Sequence, residues 1–111
     1  MRILNNQFEG RGSQKGWSFT LVTRNDKYAI YEKRSESNVY YEVIMVKFQK
    51  ARVAKYPDGR VVEYPDMELY PGDEDFGVYG WSYGSLDEAS KNFTLLVYNV
   101  PDIMMSPEIL D

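Results

Sequence analysis

Apolar and polar residues alternate along "GWSFTLVTR", with Trp17, Phe19 and Leu21 on one parity and Ser18, Thr20 and Arg24 largely on the other. This period of two is the signature of a half-buried strand. Asn25 and Asp26 then supply a tight turn, because their short side chains bond the nearby backbone and tolerate left-handed geometry. "KYAIYEKR" follows as a second strand, and "SESN" at 35–38 turns the chain again. From Val39, "VYYEVIMVKF" is apolar on both parities, as a strand lying mid-sheet is, and it is the best candidate for the core. The basic segment "QKARVAKY" runs into "PDGR", where Asp58 and Gly59 signal a hairpin, so "RVVEY" is expected as a fourth strand of an antiparallel meander.

Near the end the period changes. Ser85 is followed three residues later by Glu88, a capping-box pattern in which both side chains satisfy free amides at a helix start. Leu86, Ala89, Phe93 and Leu96 recur at helical spacing, which predicts an amphipathic helix from about Leu86 to Tyr98 with Asp87, Ser90 and Lys91 toward water. Pro101 is expected to stop it. The tail "PDIMMSPEILD" is read either as an extension docked by Ile103, Met104, Ile109 and Leu110 or as a partner-binding peptide. The expected fold is α+β: a twisted antiparallel sheet of four or five strands with one C-terminal helix on a face. A single domain covers residues 1–111, with 1–15 and 101–111 as flexible or docked extensions.

Composition agrees with one self-sufficient core: 43 % of the 111 residues are hydrophobic and 15 % aromatic. The absence of Cys and His removes thiolate catalysis, the Ser-His-Asp relay and the usual structural zinc sites. No leader-like apolar segment and no long apolar run is found, so a cytoplasmic protein with no membrane partner is expected. Charge is uneven: residues 1–60 carry twelve Lys/Arg against six Asp/Glu, and residues 61–111 carry one against eleven. Such polarity fits either a charged partner or two parts that neutralise each other in the fold.

The stretch "YPGDEDFGVYGWSYGS", residues 70–85, concentrates acids, rings and glycines. Asp73, Glu74 and Asp75 lack the spacing of a calcium loop, and no metal or cofactor is assigned. The rings are expected to fold back over the core in part, with Phe76 and Trp81 inward. Asp73, Glu74, Asp75, Tyr70, Tyr79 and Tyr83 form the candidate partner-binding surface, since Tyr offers contact area at low entropy cost and acids select a basic partner. A second candidate is nucleic acid on Lys47, Lys50, Arg52 and Lys55 with Phe48 and Tyr56. Lysines protecting a sheet edge explain the same pattern. Homo-oligomerisation is left open.

The run "YYEVIMV", the acidic "YPGDEDFG" stretch, its aromatic continuation and the capped helix resemble small accessory proteins of bacteriophages and bacterial mobile elements, over residues 27–95. The resemblance implies a viral accessory protein and carries over no catalytic residue. With the inventory above it makes the expected function non-enzymatic: binding and inhibition of a host protein, such as a defence or nucleic-acid-processing complex, through the acidic aromatic loop.

Overall fold

The computed structural model describes residues 1–98. Pro101 and the tail residues Ile103, Met104, Ile109 and Leu110 lie outside them. Five antiparallel strands form one sheet in the order β1 (Gln7–Glu9), β2 (Ser18–Arg24), β3 (Tyr28–Arg34), β4 (Val39–Met45) and β9 (Gly80–Tyr83). Between β4 and β9 the chain makes a two-stranded arm. Its base pairs β5 (Lys47–Gln49) with β8 (Met67–Leu69), and its outer ribbon pairs β6 (Arg52–Lys55) with β7 (Val61–Tyr64). Helix α1 (Leu86–Val97) closes the described chain. The α+β architecture with one C-terminal helix is therefore as expected from the sequence.

Local chemistry explains the turns. Asn25 Oδ1 accepts from the N–H groups of Lys27 at 2.9 Å and Tyr28 at 2.7 Å, which fixes the β2–β3 reversal. At the arm tip Gly59 takes φ +91°, a conformation that favours glycine, and Tyr56 N–H donates to Arg60 O at 2.9 Å. Ser85 Oγ accepts from Glu88 N–H at 3.2 Å and caps α1.

Three strand expectations are corrected by the topology. "RVVEY" does pair in a hairpin, but within the arm and not in the sheet, and the strand beside β4 is instead β9, from the aromatic stretch. The continuous 39–48 strand is divided, because the chain leaves the sheet after Met45 and enters the arm at Lys47. Arg24 shares the face of Phe19, not that of Thr20: a register shift between Leu21 and Thr23 reverses the parity and sets Arg24 opposite Ala29.

The sheet is covered on both faces. Ala89, Phe93 and Leu96 of α1 pack on Ile30 and Val43, while Leu86, expected in the same stripe, is 40 % exposed. The opposite face carries Phe19, Ala29, Tyr31 and Ile44 under Leu4, Tyr70 and Phe76. The N-terminal segment stays on that side through a parallel bridge of Arg2 to Met67 and the bond from Leu4 N–H to Glu68 Oε1 at 3.0 Å. Arg24 completes the attachment with two 2.9 Å bonds to the Glu68 carboxylate. No sheet strand exceeds seven residues, about 23 Å at the usual rise per residue, so the arm sets the 64 Å long axis.

Candidate functional site

A cleft of about 1040 Å³ opens on the face of the sheet opposite α1. Its polar centre is Glu42, 4 % exposed in the middle of an otherwise apolar strand. A buried carboxylate needs partners, and three elements supply them. Glu42 Oε1 accepts from the Tyr70 hydroxyl at 2.8 Å, and Oε2 accepts from Ser82 Oγ at 3.4 Å. Lys33 Nζ lies 3.7 Å from Oε2. Strand register brings these groups together: Ser82 sits directly opposite Glu42 on β9, and Lys33 is one diagonal step away on β3.

The surrounding walls are aromatic. Tyr70 meets Phe8, Phe19 and Tyr31 edge-on at ring separations of 5.5, 5.4 and 5.3 Å, while Phe8 stacks on Phe19 at 4.8 Å. The Lys33 ammonium stands 4.8 Å over the Trp17 ring, a cation–π contact that supplements its long ion pair. Burial and the adjacent Glu42 charge hold the Tyr70 phenol far above its ordinary pKa. Tyr70 therefore keeps its proton and acts as a fixed donor. Burial likewise pushes Tyr31 up to about 12, with Arg24 opposing and Glu68 adding to the shift. Its hydroxyl donates to Asn5 O at 2.7 Å.

The acidic stretch forms one rim. Asp73, Glu74 and Asp75 make a single 3₁₀ turn. Asp73 accepts from Ser13 Oγ and, at 2.9 Å, from Gln14 Nε2, which ties this turn to the 3₁₀ turn of Gly12–Gln14 across the cleft. With Nε2 so engaged, Gln14 Oε1 is left buried without a partner, and Gln14 lines the cleft. Asp75 accepts from Lys47 Nζ at 2.9 Å and Gly72 N–H at 3.0 Å, and both bonds hold its carboxyl below the ordinary range. Gly80 is required where Phe76 crosses β9, since a Cβ there would stand 3.0 Å from the Phe76 ring.

Of the residues singled out in the sequence, Asp73 and Asp75 are thus engaged in internal bonds, and Glu74 is exposed. Tyr70 belongs to the aromatic core of the cleft, Tyr83 packs under α1, and Tyr79 is 43 % exposed. The basic set is not one surface. Lys47 pairs with Asp75, whereas Lys50, Arg52 and Lys55 lie on the arm, with Arg52 and Lys55 on opposite faces of the ribbon. Sequence reasoning did not reach Glu42, Lys33, Ser82 or Gln14. The available signal was the lone charge in "YYEVIMV", since a carboxylate at a core position is buried only with partners. Among the described residues there is no group of three or more metal-ligating side chains, and no helix is long and apolar enough to cross a membrane. No family model matches this chain, and neither curated proteins nor solved structures give a match.

Proposed function

We propose that this chain is a non-enzymatic binding protein and that the cleft, not the outward side of the acidic turn, is its recognition surface. One observation carries the reading: an aromatic-walled cavity at the top of the about 300–1,000 Å³ range of small-molecule sites converges on a few fixed polar groups. Its floor offers ring faces of Phe8 and Phe19, and its polar end offers the Glu42 carboxylate and the free acceptor Gln14 Oε1. Acceptors beside aromatic walls suit a partner segment that presents an apolar or aromatic side chain next to a basic or amide group. Tyr70, locked as a donor, has no part in proton transfer, which supports binding over catalysis. The resemblance to phage accessory proteins extends this proposal to a host protein as the source of the segment.

The test is selection from a displayed library of random peptides. Basic-aromatic sequences are expected, with affinity lost in Ser82→Trp, which fills the cleft from an exposed position, and weakened in Glu42→Gln. Failure to select any binder, or binders indifferent to Ser82→Trp, overturns the cleft as the recognition surface.

A further inference from the structure

The two faces of the β6–β7 ribbon differ. On one, Arg52 stands opposite Tyr64 and Ala54 opposite Val62, with Tyr56 and Arg60 beyond them. The Arg52 guanidinium lies 4.7 Å over Tyr64, that of Arg60 lies 4.7 Å over Tyr56, and the two hydroxyls are 3.0 Å apart. That face is covered by its own side chains. The other face holds only four residues, Val53 opposite Glu63 and Lys55 opposite Val61, all exposed, with Val53 at 56 % and Val61 at 60 %. Among the described residues neither Lys55 nor Glu63 forms an ion pair. The ribbon packs substantially on no other element, and a two-stranded ribbon left uncovered in water is marginal.

We propose that this bare face is covered by the same face of a second copy of the chain. The arrangement is self-complementary. The valines occupy one diagonal of the four positions, and the opposite charges occupy the other. A two-fold axis along the valine diagonal stacks Val53 on Val53 and Val61 on Val61, and it sets Lys55 of each copy against Glu63 of the other. This is the isologous contact that a symmetric dimer requires. The paired area falls below about 1,000 Å², so the dimer is weak and concentration-dependent. The inference stands apart from the cleft, which lies on the sheet.

Sedimentation equilibrium over low to high micromolar concentrations reads it directly. The wild-type chain is expected to shift from monomer to dimer. Lys55→Glu alone and Glu63→Lys alone should remain monomeric, because each places like charges together twice. An equimolar mixture of those two variants should dimerise again, since both cross-pairs then match. All four positions are exposed, and the mixture also controls for misfolding. A wild-type chain that stays monomeric, a dimer untouched by either reversal, or a mixture that fails to recover overturns the proposal. Loss of single-stranded oligonucleotide retention in Lys55→Glu, with the wild type monomeric, would assign the ribbon to nucleic acid instead.

Discussion

Tyr70→Phe isolates one bond. The phenylalanine ring keeps the edge contacts to Phe8, Phe19 and Tyr31, and only the hydroxyl that donates to Glu42 at 2.8 Å is removed. A hydrogen bond to a charged group contributes about 1.5–3 kcal/mol, and its loss leaves a buried carboxylate short of a donor. The Glu42 side chain is 6 % exposed, so water has little access to replace the phenol. Ser82 at 3.4 Å and Lys33 at 3.7 Å are too distant to compensate fully. Chemical denaturation at neutral pH should therefore show a loss of about 1.5–3 kcal/mol at unchanged slope. At about 5 °C per kcal/mol for a domain of this size, the melting temperature falls by about 8–15 °C. A double-mutant cycle with Glu42→Met should return a coupling energy in the same range, because the paired variant leaves neither donor nor acceptor stranded. A Tyr70→Phe cost under about 0.5 kcal/mol would refute the reasoning, since it would mean that the carboxylate is hydrated through the cleft.

Two further outcomes follow from the attachments of the arm and the helix. The Glu68 carboxyl is lowered chiefly by its bonds to Arg24, and the Asp75 carboxyl by Lys47, so both contribute stability that is present above the ordinary carboxylate range and lost as pH falls through their depressed folded values. Denaturation midpoints should fall on acidification below about pH 4.5, and Glu68→Gln should flatten that decline; an unchanged acid limb would remove Glu68 as its source. Ser85→Ala should cost about 1 kcal/mol in equilibrium unfolding through loss of the cap on α1, and no measurable cost would show that the cap is dispensable.

What the sequence made legible was local. The Asn25 turn, the Asp58–Gly59 tip, the Ser85 cap and the alternation of β2 each depend on residues a few positions apart, and short-range geometry decides them. The place of "RVVEY" was not local in this sense, because a hairpin satisfies the same backbone bonds whether it lies in a sheet or in a separate arm. The division falls where Ala51 N–H bonds the Asp66 side chain at 2.6 Å and Pro65 offers no N–H, a contact across the hairpin. Glu42 was visible as a charge in an apolar strand, yet its donors come from Tyr70 and Ser82, far along the chain. The acids of the 73–75 turn stood out by composition, but their engagement with Ser13, Gln14 and Lys47 depended on which segments the fold would set beside them. Arg24 was misplaced by a single extra residue, since one bulge reverses every side chain beyond it.

The position of the arm bears on how the chain folds. β4 finds its partner β9 only after the whole segment 46–79, and closing a long loop costs entropy that grows with its length. The arm reduces that separation as it forms. Zipping from the Gly59 turn brings Lys47 to Leu69 through nearest-neighbour pairings, after which the remaining search is the short span from Leu69 to Gly80. The sheet edge therefore closes last and depends on the arm having zipped first, so changes at the arm tip act on the rate at which β9 joins, far from the site of the change.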